Sequence, residues 1–325
     1  MNISSSRPKI SVIIPVYGVE KYIESCARSL FEQTQTDMEL IFVDDCSIDN
    51  SIAILERVMD EYRSRIIEKR MEIRIERMPT NSGLPAVREY GTKLAKGDYI
   101  IHCDSDDWVA PDMYRAMYEK ATEDNADVVV CDIYKDYGGG KYKVIKGCNS
   151  EEVKKFTLDI LWCRIPGSLC NKLYKRTAYN DGILFPSNNM AEDFATSAQL
   201  IRHCNKVSYI PKSFYHYVYN PQSITKNKSS DEKILKIYFD KQTNMELVLN
   251  AYKDCNDKDI KKALLFNCLE VKFTLYPIAR KYKKLYNTNR PGFFRHFLFS
   301  PNVSVRIKVR HLLFLLRLYP FTKNS

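Results

Sequence analysis

Three times before residue 100 a short apolar run gives way to a polar turn and then to a segment of helical period, and a fourth apolar run follows. Lys9 to Val16 reads as a strand ending near Pro15, and Ile23, Ala27, Leu30 and Phe31 recur at helical spacing within Glu20 to Phe31. Glu39 to Val43 is a second β-rich run, Asp44-Asp45-Cys46-Ser47 a turn, and Asp49 stands where it can cap a helix carrying Ile52, Leu55, Val58 and Met59. Glu72 to Glu76 alternates as a third strand and Asn81-Ser82-Gly83 signals a turn. Leu84 to Ala95 is helical, with Lys96-Gly97 placed like a glycine C-cap. Asp98 to Cys103 is the fourth strand. Such alternation through short connections demands an α/β fold with a mostly parallel sheet flanked by helices. Ligands of these sheets sit beyond the carboxyl ends of the strands. Tyr17, Asp44-Asp45, Asn81 and Asp104 to Asp107 all fall at those ends, so one cleft is expected to gather them.

Beyond this point the pattern loosens. A helix is expected from Pro111, a strand over Asp127 to Cys131, and a loop or hairpin over the Gly-, Lys- and Tyr-rich stretch Tyr134 to Asn149. Glu151 to Trp162 and Ala191 to Cys204 read as helices and Val207 to Ile210 as a strand. Pro221-Gln222-Ser223 breaks the pattern, and helices dominate from Asp231. Two regions are therefore expected, residues 1–225 and a helical C-terminal extension over 226–325.

With 45% apolar residues in 325, the chain can bury a sizeable core. Met1 to Lys9 is polar and carries no secretory signal, and no segment approaches the roughly 20 apolar residues a membrane span needs, so a cytoplasmic location is expected. Ten cysteines without Cys-x-x-Cys spacing argue against a zinc ribbon. The net charge of +10 is concentrated at one end: Val271 to Ser325 holds 12 basic residues and no acid. Residues 290–323 interleave Phe and Leu with Arg and Lys, a composition suited to peripheral contact with the inner face of the cell membrane or to an oligomer contact. Nothing else in the chain supports nucleic-acid binding.

In Ile100 to Trp108 the fourth strand delivers three carboxylates within four residues, Asp104, Asp106 and Asp107. Carboxylates this close repel one another unless a cation or hydrogen-bond donors offset the repulsion. Hard divalent ions take such oxygen ligands, which favours Mg or Mn. On an extended segment Asp104 and Asp106 face one way and Ser105 the other. A helix N-cap cluster is the competing explanation, and Asp107 alone would satisfy it.

Ser11 to Tyr17 (SVIIPVY), Val43 to Ser47 (VDDCS), Asn81 to Arg88 (NSGLPAVR), Asp104 to Trp108 (DSDDW) and Glu192-Asp193 resemble, in this order, the motifs of family-2 glycosyltransferases, over roughly residues 8–225. The resemblance implies a GT-A fold, a nucleotide-sugar donor and inversion at the anomeric carbon. It makes Asp106 the direct metal ligand, with Asp104 reaching the ribose or the ion through water. It puts Pro15, Tyr17, Asp45, Asn81, Arg88 and Ser105 beside these aspartates as nucleotide-sugar contacts, Asp45 accepting the uracil imide proton and Tyr17 stacking on the base. Asp193 becomes the general base, oriented by Glu192. Three positions depart from the pattern: Gly18, Glu89 and Cys46, the last standing where Gly is frequent and so suggesting that positive φ is not required there. The expected activity is metal-dependent, inverting transfer of a sugar from a UDP-linked donor to a saccharide or lipid-linked saccharide acceptor in surface polysaccharide assembly. The alternative is a catalytically silent, nucleotide-sugar-binding scaffold of a membrane polysaccharide complex. A dinucleotide oxidoreductase is excluded, because no Gly-x-Gly-x-x-Gly follows the first strand.

Overall fold

Strands β1 (Ile10–Val16) and β2 (Met38–Asp44) are buried at every position, as the centre of a sheet covered on both faces must be. They belong to a computed structural model that describes residues 7–179, 182–220, 230–278 and 281, with Val305, Lys308, Val309 and Leu312. The chain divides into two compact units at residue 221.

Within the first unit, β3 (Glu72–Arg77) and β4 (Tyr99–His102) join β1 and β2 in the order β3-β2-β1-β4, all parallel. The crossovers carry α1 (Ile23–Phe31), α2 (Ser51–Glu61), α3 (Arg63–Glu68) and α4 (Leu84–Leu94). Helix α1 buries Ile23, Cys26, Ala27, Leu30 and Phe31, an apolar stripe of helical period. Helix α4 lies so close to β1 that a β-carbon at Gly91 would fall 2.5 Å from Ile13 Cγ2. That closeness carries Arg88, one turn earlier, into the interior.

The sheet then changes character. Strands β5 (Trp108–Val109), β6 (Val128–Asp136), β7 (Tyr142–Ile145), β8 (Lys172–Lys175) and β9 (Val207–Tyr217) extend it to β3-β2-β1-β4-β8-β6-β9-β5, with β7 as a hairpin partner of β6. β8 is antiparallel to both β4 and β6, while β6 and β9 run parallel. The parallel half thus follows the sequence period, and the rest is mixed. Helices α5 (Met113–Glu123), α6 (Val153–Leu161) and α7 (Glu192–Leu200) complete the unit. β9 runs well past the expected Ile210. Its register against β6 jumps from Cys131↔Ile210 to Asp132↔Ser213, so Pro211, which has no N–H to donate, sits at a bulge.

The second unit contains α8 (Asp231–Ala251) and α9 (Lys258–Phe273), capped by the Ser230 hydroxyl and the Asp257 carboxylate. Ile234, Tyr238, Leu275 and Ile278 form its apolar cluster. Among the described residues no helix is long and apolar enough to cross a membrane. The contact expected of residues 290–323 lies outside the described residues, apart from the four isolated positions already named.

Two glycine-related expectations are corrected. Cys46 does adopt positive φ, +61°, and its thiol donates to Met78 O at 3.1 Å. Gly97 is no left-handed cap, since α4 ends at Ala95 in extended conformation. Glycine is needed at 97 because the chain presses on β1: a β-carbon there would lie 2.6 Å from both Ser11 N and Oγ. Gly97 N donates to Ser11 Oγ at 2.8 Å and to the buried Glu39 Oε1 at 3.0 Å. Gly97→Ala should therefore destabilise the protein by about 1–3 kcal/mol, the range for overpacking, read from the midpoint of urea unfolding.

Candidate active site

The carboxyl end of β2 is tied to the start of α4. Both oxygens of the buried Asp45 carboxylate accept backbone N–H groups, from Ser82 at 2.7 Å and Gly83 at 2.8 Å, while Asn81 Nδ2 donates to Asp45 O at 3.3 Å. Gly83 supplies the positive φ of +84° that this entry into the helix requires. Asp45 N in turn donates to Val16 O at 2.9 Å, joining the turn to the end of β1, where Pro15 is buried and Tyr17 is half exposed. Asp45, Asn81 and the β1 end are therefore neighbours. Asp44 faces elsewhere, its Oδ1 accepting Ser47 N–H at 2.7 Å.

After β4 the chain turns, closed by Asp107 N–H to Asp104 O at 3.1 Å. Exposure alternates through it: Asp104 and Asp106 are partly open, Ser105 and Asp107 buried. The alternation expected of extended chain is thus delivered by a turn. Asp107 is not the helix cap the sequence suggests. Trp108–Val109 pairs with β9 before α5 begins at Met113, and the Asp107 carboxylate fastens that strand, accepting Tyr215 Oη at 2.7 Å and Val218 N at 2.7 Å. Burial, then Asp104 and Asp106, push its pKa well up. Asn220 Nδ2 donates to Asp106 Oδ2 at 2.9 Å.

Arg88 joins this turn to α7. Its Nη2 donates to Asp104 Oδ1 at 2.6 Å, and its Nη1 donates to both Glu192 Oε1 and Asp193 Oδ1. The guanidinium is 2% exposed, Glu192 5% and Asp193 33%, so of the acidic pair only Asp193 meets solvent. Expected as a donor contact, Arg88 is buried with both terminal nitrogens committed to carboxylates. Burial opposes its charge, but Asp193, Glu192 and Asp104 outweigh that and hold its pKa well above the ordinary value. Ala191, preceding the pair, sits in the left-handed region at φ +62° and sets the direction from which Glu192 and Asp193 enter the cleft.

Negative charge still exceeds positive here. Burial pushes Glu192 well up against the pull of Arg88, and raises Asp104 to about 6 with Asp193 and Asp106 adding to the rise. Among the described residues no group of three or more His, Cys, Asp or Glu side chains is arranged to hold a metal ion alone. The donor set nonetheless fits Mg or Mn, which bind through one or two carboxylates together with substrate phosphates and water. One oxygen of Asp104 and one of Asp106 are engaged, and each carboxylate has two.

The expected residues thus form two groups. Asp45 and Asn81 lie at the N-terminus of α4, and Arg88, on that helix, holds Asp104 and Asp193. Sequence reasoning missed Tyr215, Asn220 and Asn189, the last lying where a β-carbon at Gly83 would approach its Oδ1 to 3.1 Å.

The profile of glycosyl transferase family 2 matches residues 11–181. Glycosyltransferase EpsJ of Bacillus subtilis is 29% identical over 243 residues, 71% of this chain and 68% of that one. TarS of Staphylococcus aureus, a poly(ribitol-phosphate) β-N-acetylglucosaminyltransferase, is 28% identical over 214 residues, 64% of this chain but only 35% of TarS. The crystal structure of TarS 1–349 in complex with UDP-GlcNAc aligns with a TM-score of 0.57 at 20% identity, covering 86% of this chain and 88% of that one, a likeness of fold.

Removing the shared cation should be severe. Arg88→Met leaves Asp104, Glu192 and Asp193 uncompensated, and should lower stability by about 3–5 kcal/mol at neutral pH in the presence of chelator. Their folded pKa values would then rise further above the unfolded ones, so the folded variant binds more protons and its stability falls as pH rises. The deficit should accordingly shrink on acidification toward pH about 4, as followed by denaturant titration at several pH values.

Proposed function

Since the chain belongs to glycosyl transferase family 2 and is a glycosyltransferase of GT-A fold, we propose that it moves a sugar from a UDP-linked donor to a saccharide acceptor in cell-surface polysaccharide assembly, with inversion. The observation that carries this reading is the bonding of one buried guanidinium to Asp104 and to Asp193. A carboxylate suited to the donor diphosphate and a carboxylate suited to the acceptor hydroxyl are thereby held at opposite sides of one cation.

In this reading the turn of Asp45, Asn81 and Gly83 receives the nucleoside, with Pro15, Tyr17 and Ser105 around it. Asp106 and Asp104 would hold Mg or Mn, which when bound supplies Lewis-acid neutralisation of the departing diphosphate. Asp193, the exposed member of its pair, accepts the proton of the attacking hydroxyl, and Glu192 and Arg88 fix its position. Attack from the face opposite the leaving group inverts the anomeric carbon. The solved TarS complexes with UDP-GlcNAc and UDP support a UDP donor, and the poly(ribitol-phosphate) transferases among the relatives support a surface-polymer acceptor. Residues 1–225 are the catalytic part, and 226–325 are an extension whose basic, aromatic residues 290–323 hold the enzyme at an anionic membrane surface.

Thermal shift with UDP-GlcNAc, UDP-glucose and UDP-galactose, with and without Mn, tests the donor site. At least one should stabilise the protein, and Asp106→Ala should abolish the Mn-dependent part; silence from all three would sink the reading. Asp193→Asn should retain UDP binding and lower transfer by about 10²- to 10⁴-fold, the contribution of a general base. A chain ended after Asn289 should no longer co-sediment with anionic liposomes.

A further inference from the structure

Lys172, on β8, is fully buried, yet no carboxylate touches it. Its three ammonium protons go to neutral oxygens: Pro166 O at 2.8 Å, Ser168 O at 2.8 Å and Asn171 Oδ1 at 3.0 Å. Asn171 is locked in turn, its Nδ2 donating to Cys131 O at 2.7 Å and its Oδ1 accepting Ser168 Oγ at 2.9 Å. Burial draws the lysine pKa down to about 8, so the ammonium remains charged at neutral pH.

A buried charge with only neutral partners is a poor device for stability, since an apolar side chain of similar length avoids the desolvation penalty. What the ammonium does accomplish is geometric. It gathers the carbonyls of one irregular turn, residues 166–168, and that turn abuts the catalytic helix: a β-carbon at Gly167 would lie 3.1 Å from Phe194 Cα, one residue from Asp193. Cys170, in the same segment, has its thiol pushed well up by burial and then by the charges of Asp104, Asp193 and Asp107. The segment therefore runs beside both carboxylate groups of the cleft, and Pro166, Gly167 and Ser168 are partly open.

We propose that Lys172 is a positioning residue for the acceptor: its ammonium fixes the 166–168 turn as the wall against which the acceptor is presented to Asp193. This rests on the reading of Asp193 as the base. No carboxylate would be needed at position 172, because the wall must be held without adding charge beside the base.

Amide hydrogen exchange of Lys172→Met and Gly167→Ala reads the positioning without any substrate. Exchange at residues 166–171 and 192–195 should quicken at least tenfold while β1 and β2 keep wild-type protection. Unchanged exchange in both variants overturns the proposal, and Gly167→Ala, with Lys172 intact, decides should Lys172→Met fail to fold. With UDP-GlcNAc as donor and octyl β-glucoside as acceptor, the acceptor KM should rise at least fivefold and the donor KM stay within about twofold. A fall in kcat at unchanged acceptor KM overturns the acceptor role. Wild-type protein that releases no UDP strikes the donor reading instead, and the exchange result then stands alone in support of Lys172 or against it.

Discussion

A guanidinium remains in a protein interior only where acceptors surround it, and an acceptor cluster of like charge remains only where a cation sits within it. Arg88 and its three carboxylates meet both conditions at once. The partners come from the end of β4 and the start of α7, and the arginine itself from α4, so three separate segments are stitched at one point. Most of what the cleft can do follows from that stitch. Asp193 is held open to solvent while Glu192 is drawn inside, and Asp104 keeps its place beside Asp106. The close approach of α4 to β1 at Gly91 is what lets the arginine reach inward.

The parallel half of the sheet was legible because a strand buried on both faces and an amphipathic helix write different periods into the chain, and the first four strands lie within a few residues of where those periods put them. β8 was not legible. It has four residues, two of them lysine, and owes its conformation to strands on either side rather than to any pattern of its own. Tertiary partners explain the other misses. Asp107 reads as a cap because helix starts favour aspartate, while the tyrosine that claims it lies 108 residues away. Arg88 reads as a free helix arginine or a ligand contact because its acidic partners are 104 and 105 positions distant. The motifs named the right side chains, but their bonding within the cleft is long-range and leaves no local trace.

The two sides of the cleft also differ in how far they are shared. The family profile spans residues 11–181, which takes in Asp45, Asn81, Arg88, Asp104, Asp106 and Lys172 but stops before Asp193 and β9. The common part is the nucleotide-facing sheet with its crossovers, and the strands and helix that close the cleft opposite it lie beyond.

The insertion of β8 between β4 and β6 bears on how such a chain could have been assembled. A fragment ended after β4 would carry the nucleotide-facing motifs yet leave β4 as a raw edge, its outward N–H and C=O groups free to recruit strands from other molecules. The half that reads most like an autonomous module therefore depends on a strand that arrives some seventy residues later in the chain. Recombination that exchanges one acceptor-facing half for another would have to carry the join past β8, and the family match ends at residue 181, just beyond it.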